Sequence, residues 1–386
     1  MKKEDLTGLL VYALLLASAI IFAFTVMKDF SGRSGFETGP FIAFMLGAIA
    51  TGVVLNAIFG EIGHVIGAKI GGYAILGVNI LGFNFSKVDN KVKFNFKGYD
   101  GLTGETRIYP NKKNDEKEPN PVPYSLFPSV MLAVLITLSI VLFITFNNIA
   151  DGNSTLPIAR MGYFLLVVAY IGMMIFVYNI VPLKLDTMND GYRLRLVINP
   201  KNREAFNELL KVKKAIETGD KNVEIKTFDT ITNFTADLNF NKVYLLLDEG
   251  KLEEAKVLIK QVVENKDDIS EKTYIRAKAQ LIYINIMLES IEEAEKYYTD
   301  EVPVAERRLI SKDISMASVR AYMLMSGILD KSLSETEIAL NHVMRAFKKT
   351  PKNRQTTELK LYNNALKRVI EAHPNWNLEG YLLEEK

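Results

Sequence analysis

The chain contains no cysteine, which excludes disulfides, thiol nucleophiles and thiolate metal sites. Histidine is almost as scarce: His64, His342 and His373 are the only ones in 386 residues. Any imidazole-based metal site must draw on these three. A strong charge of either sign is also missing. Against 47 Lys and Arg stand 45 Asp and Glu, a formal +2. That balance lacks the electrostatic footprint of a nucleic-acid binder, and no nucleic acid is expected among the partners.

What is present divides into two unlike halves. Residues 6–27, 40–60, 122–146 and 161–182 are free of Asp, Glu, Lys and Arg, and the second run stays apolar in pattern to residue 66. Each meets the requirement of about 20 apolar residues for a helix across roughly 30 Å of hydrocarbon. The first run has no clear small-residue cleavage site after it and is long for a signal-peptide core, so a retained anchor is expected. From Lys184 onward the chain is charged and has no run long enough to span a bilayer.

Loop charge predicts orientation. The loop between spans two and three carries Lys87, Lys91, Lys93, Lys97, Arg107, Lys112, Lys113 and Lys117, whereas the loop after the first span has only Lys28 and Arg33. The positive-inside rule places the Lys-rich loop in the cytoplasm, and both termini with it. Within that loop Phe83 and Phe85, then Val92, Phe94 and Phe96, alternate with polar residues around Asp89-Asn90. The pattern predicts a β-hairpin over about 75–98. Residues 111–119 read as a linker.

The C-terminal half reads as helical. Leu245-Leu246-Leu247-Asp248-Glu249-Gly250-Lys251-Leu252-Glu253-Glu254-Ala255 resembles the turn between the helices of a tetratricopeptide repeat. Echoes follow at Ile286–Ala294 and Ala321–Leu340, at a spacing wider than the usual ~34 residues. The expectation is degenerate repeats, or stacked helical hairpins, able to bind a cytosolic protein. His342 and His373 lie in charged helical contexts and read as surface residues. The fold expected is mainly α: a polytopic membrane domain over 1–195 with about four transmembrane helices (6–27, 40–66, 122–146, 161–182) and a small hairpin, then a cytoplasmic α-helical repeat-like domain over 196–386.

Chemistry concentrates at the end of the second span, Phe59-Gly60-Glu61-Ile62-Gly63-His64. An H-E-x-x-H helix places two zinc-binding histidines on one face and a general-base glutamate beside the first. Here Glu61 and His64 are present, and Gly60 stands where the first histidine would be. The fourth span ends in Asn179-Ile180-Val181-Pro182, followed by Asp186 and Asn189-Asp190-Gly191-Tyr192. Together these segments resemble the site-2 protease family of intramembrane zinc metalloproteases, which pair H-E-x-x-H with N-x-x-P and D-G on a later span. Gly52 and Asn56 match a G-x-x-x-N element that often precedes the first motif. The likeness covers residues 40–195.

The resemblance implies Glu61 as general base, His64 and Asp190 as zinc ligands, and Asn56, Asn179, Pro182 and Gly191 as residues shaping the site. It implies hydrolysis of a peptide bond in or beside a transmembrane segment of a membrane-anchored protein, with zinc as cofactor. Gly60 offers no ligand, so zinc binding and turnover are expected to be impaired. Asp186, four residues before Asp190, is a candidate substitute. A non-catalytic pseudoprotease acting as a membrane adaptor is the alternative.

Overall fold

The structure, a computed structural model, describes residues 3–88, 91–96, 98, 104–111, 118–183, 188–218, 224–228, 230–350 and 352–384. It divides into two compact units, Met1–Leu210 and Lys211–Lys386. Asp89-Asn90, most of the 111–119 segment and Asp186 lie outside the described residues.

In the first unit, α1 (Lys3–Phe22) runs through a π-helical turn at Ala23–Met27 into α2 (Lys28–Arg33). Then come α3 (Thr38–Ile70), β1 (Tyr73–Ile80), β2 (Phe83–Val88), β3 (Lys91–Phe96), β4 (Gly104–Pro110), α4 (Pro121–Ile149), α5 (Pro157–Ile180) and α6 (Asp190–Ile198), and the unit boundary falls within α7 (Pro200–Thr218). Four segments are long and apolar enough to cross a bilayer: Leu6–Arg33, Thr38–Ile70, Pro121–Ile149 and Pro157–Ile180. They coincide with the four runs of the sequence. Helix α3, with 33 residues, is roughly 50 Å long and outreaches the ~30 Å hydrocarbon layer.

Burial in these helices is inside-out relative to a water-soluble bundle. Leu14, Leu16, Phe24, Leu46 and Leu138 are exposed on the outer surface, while the contacts between helices use Ala48, Gly52, Ala57, Gly63, Gly67, Gly162 and Gly172. Lipid is as apolar as leucine, so membrane helices gain little by burying large side chains. They pack through small residues that allow close backbones.

The sheet is antiparallel with order β3-β2-β1-β4. The expected hairpin is its outer half, β2 paired with β3 through Phe83 opposite Phe96 and Phe85 opposite Phe94. The inner half, β1 paired with β4, goes beyond that expectation. Leu81 and Gly82 turn β1 into β2 with φ of 50° and 94°, the left-handed pair that a two-residue hairpin loop requires. Asn79 Oδ1 accepts from Gly82 N at 2.9 Å and fixes that turn. Five apolar side chains of the outer half, Phe83, Phe85, Val92, Phe94 and Phe96, are exposed.

The second unit is helical: α8 (Asn233–Asp248), α9 (Leu252–Glu264), α10 (Glu271–Leu288), α11 (Ile291–Glu301), α12 (Val304–Lys312), α13 (Met316–Leu324, continued by a π turn to Leu329), α14 (Leu333–Lys349) and α15 (Lys352–Ala372). The three repeat-like segments fall on the turns α8–α9, α10–α11 and α13–α14. At the first, Gly250 has φ of +77° and closes α8, and its N–H donates to Leu247 O. Helices α10 and α13 form the middle and are buried on almost every side, including Lys278, Gln280 and Arg320. Arg320 pairs with Glu358 and donates to Gln280 Oε1 at 3.1 Å, which answers the desolvation of its charge.

Both histidines expected at the surface, His342 and His373, are half-buried, and His373 is bound on two sides. His373 stacks on Trp376 at 4.0 Å and bonds Gly327 O through Nε2 at 2.8 Å. Its partners are the adjacent Trp-containing turn and a distant glycine, which the charged local sequence does not show.

Candidate functional site

Helix α3 carries one buried stripe: Ala48, Gly52, Asn56, Gly60, His64 and Ala68 recur every fourth residue. Fourfold spacing keeps them on one slowly winding face. A second row, Gly63 and Gly67, lies against the start of α4. A Cβ at Gly63 would fall 2.6 Å from Phe127 O, and one at Gly67 would fall 2.3 Å from Pro123 O. Only glycine permits the two backbones to meet this closely. Their contact brings His64 to Tyr124: the rings lie 4.8 Å apart, and His64 Nδ1 is 3.1 Å from Tyr124 O.

Glu61, His64 and Asp190 are brought into one cluster. Glu61 is 2% exposed, His64 9% and Asp190 8%. His64 Nε2 and Asp190 Oδ2 stand 3.5 Å apart. Asp190 Oδ1 accepts from Arg193 Nη1 at 3.0 Å. Glu61 Oε2 accepts from Thr106 Oγ1 at 2.6 Å, and the carboxylate lies within electrostatic reach of His64, Asp190 and Arg193. Tyr124 joins these pieces. Its hydroxyl donates to Thr106 O at 2.7 Å, and the Arg193 guanidinium sits 5.4 Å from its ring centre. Of the two buried acidic groups, Asp190 is answered by the Arg193 guanidinium and Glu61 by the Thr106 hydroxyl. Without such partners each buried charge would cost several kcal/mol.

The D-G segment is held in place by the end of α5. Asn189 caps α6, accepting from Tyr192 N at 2.9 Å. The same side chain donates to Tyr178 O at 2.6 Å and Val181 O at 2.7 Å, and accepts from Leu183 N at 3.2 Å. One amide therefore satisfies orphan groups at the end of one helix and the start of the next. Gly191 packs on that end too, where a Cβ would lie 2.3 Å from Ile180 O. Asn179 is half-buried beside Gly191, with its carbonyl oxygen 2.8 Å from the same point, whereas Pro182 is exposed. Asn56 points elsewhere: its Nδ2 donates to Gly52 O at 2.7 Å and to Val168 O at 3.4 Å, joining α3 to α5.

Catalytic zinc takes three protein ligands and keeps one open position. Among the described residues no group of three His, Asp or Glu side chains converges in a way that could hold a metal ion. His64 and Asp190 are a pair, Asn56 is engaged with backbone carbonyls, and Gly60 has no side chain. The described residues do not fit a catalytic zinc.

Thr106, Tyr124, Asn189 and Arg193 are the parts of the cluster that sequence reasoning did not select. Asn189 carried a signal, since an asparagine directly before a helical D-G-Y run is a helix-cap pattern. Arg193, three residues after Asp190, is an i, i+3 partner. Thr106 and Tyr124 come from a strand and a helix distant in sequence and carried no signal. Comparisons with protein-family models, curated proteins and solved structures return no match.

Proposed function

We propose that this chain is a multi-pass membrane protein on a site-2 protease scaffold and works as a non-catalytic adaptor. It holds a membrane-anchored protein through its transmembrane unit and a cytosolic protein through its helical unit. One observation carries the reading: Glu61, His64 and Asp190 come together, yet the position one turn before His64 is Gly60, and among the described residues no third ligand joins the pair. Loop charge supports a cell-membrane location with both termini in the cytoplasm. Strand β3 is one of the sheet's two edges, and among the described residues its only strand partner is β2. An extended segment of the membrane-anchored partner adds along that edge, with Val92, Phe94 and Phe96 offering apolar contacts.

A second reading is a zinc metalloprotease of site-2 type that has lost one ligand. The 3.5 Å between His64 Nε2 and Asp190 Oδ2 favours it, because ligands at ~2.1 Å around one tetrahedral ion stand about 3.4 Å apart. The test is cleavage of a membrane-anchored reporter in proteoliposomes by the chain, by Glu61→Ala and by Gly60→His. The adaptor reading expects no cleavage by the chain or by Glu61→Ala. Cleavage by the chain that Glu61→Ala abolishes would overturn it.

A further inference from the structure

Helix α4 has a proline in its interior, Pro128, and the residue four positions before it is Tyr124. Proline has no N–H, so the helical bond that would end on Tyr124 O cannot form. That carbonyl is the one that meets His64 Nδ1, at 3.1 Å. A carbonyl only accepts, so the hydrogen of this contact sits on Nδ1. Fixing Nδ1 as the donor fixes the ring, and Nε2 then faces Asp190 Oδ2 at 3.5 Å. α3 also comes close at this proline: a Cβ on Gly63, the neighbour of His64, would fall 2.6 Å from Pro128 Cα. One residue thus frees the acceptor and marks the place where the donor arrives.

We propose that Pro128 is a positioning residue for His64: it withholds a helical donor from Tyr124 O so that this carbonyl takes the imidazole Nδ1–H and aims Nε2 at Asp190. The arrangement holds whether or not the site turns over a substrate, so it stands or falls separately from the adaptor reading. Pre-orientation of an imidazole through its second nitrogen is how proteins select one tautomer.

The chain's three histidines make the test direct. The full chain is labelled with 15N-histidine in detergent, His64→Gln assigns the His64 ring, and long-range 15N–1H spectra are recorded where the ring is neutral. Wild type is expected to show protonated Nδ1 and bare Nε2. In Pro128→Ala, the restored backbone N–H at position 128 competes for Tyr124 O. The tautomer ratio is expected to shift about fivefold toward the Nε2–H form, the scale of one neutral hydrogen bond. Tyr124→Phe keeps the carbonyl and is expected to leave the ratio unchanged. A wild-type ring protonated at Nε2, or an unaltered ratio in Pro128→Ala, would overturn the proposal. If Pro128→Ala does not fold, the dipolar coupling between the Tyr124 carbonyl carbon and His64 15Nδ1 in wild type decides. A clear coupling sustains the proposal, and its absence defeats it.

Discussion

Single atoms decide much in the transmembrane unit, and the glycines of α3 show it best. A Cβ on Gly67 would stand 2.3 Å from Pro123 O, a backbone atom that cannot step aside. Gly67→Ala should therefore separate α3 from α4 and destabilise the chain by about 1–3 kcal/mol, as overpacking does. At Gly47 the nearest atom to an added Cβ is Phe164 Cε2 at 4.0 Å, an ordinary contact. Gly47→Ala should be neutral within about 0.5 kcal/mol or slightly stabilising. Unfolding of both variants in detergent checks the contrast, and equal effects would count against the packing described. At the same scale the sequence was most legible: Glu61, His64 and Asp190 were selected as a group, and they share one buried cluster. Their supports were less legible. Thr106 reaches Glu61 through a sheet, and Tyr124 reaches His64 through a main-chain oxygen that no side-chain pattern reveals.

Among the elements, the spans were plain because a bilayer demands long uncharged runs and little else produces them. The sheet was only half visible. Strands β2 and β3 alternate apolar with polar residues, a period-two pattern readable in sequence even though their apolar side chains are exposed. Strand β1, Tyr-Ala-Ile-Leu-Gly-Val-Asn-Ile, is apolar with little alternation, since it lies in the interior of the sheet. Tyr73 opens that strand and donates to Asn207 Oδ1 at 2.6 Å, and Asn207 Nδ2 donates to Pro119 O at 2.8 Å. Burial pushes the Tyr73 hydroxyl far above its ordinary range, so it remains a donor at any physiological pH.

The second unit offers a pH test at the start of α13. Asp313 accepts from Ser315 Oγ at 2.6 Å, Ser318 Oγ at 2.7 Å and Arg276 Nε at 3.3 Å. Burial alone would raise this carboxyl, but the two hydroxyls and Arg276 outweigh it and hold the group below its ordinary range. A depressed folded-state value means the stabilisation is present above the unfolded value, about 3.9, and is lost as pH falls through the folded one. Asp313→Asn should lower the stability of α13 by about 1–2 kcal/mol at pH 7, with a diminishing difference below about pH 4. Amide hydrogen exchange of α13 in the two proteins reads this. A difference that grows with acid would refute the assignment.

For the whole molecule, the sequence reading sets a membrane half over 1–195 apart from a helical half over 196–386, and the structure divides into two compact units at Leu210–Lys211. It could not resolve whether the helical hairpins of the second unit form a repeat array. The buried α10 and α13 reflect packing between helices, which local turn signatures do not encode. Orientation rests on loop charge: reporters fused after Lys386 should read as cytoplasmic, and reporters inserted at Asp151-Gly152 as exterior. The opposite pattern would place the Lys-rich loop outside.

On the function proposed, Glu61, His64 and Asp190 cluster without the third donor that a catalytic metal takes. Zinc per chain, measured by mass spectrometry on the full chain purified in detergent, tests it most directly beside Gly60→His. The account predicts far less than one zinc per chain for the protein as it stands, and a gain toward one on Gly60→His, where a third ligand joins His64 and Asp190. One tightly held zinc per unaltered chain, lost on His64→Gln, would contradict it.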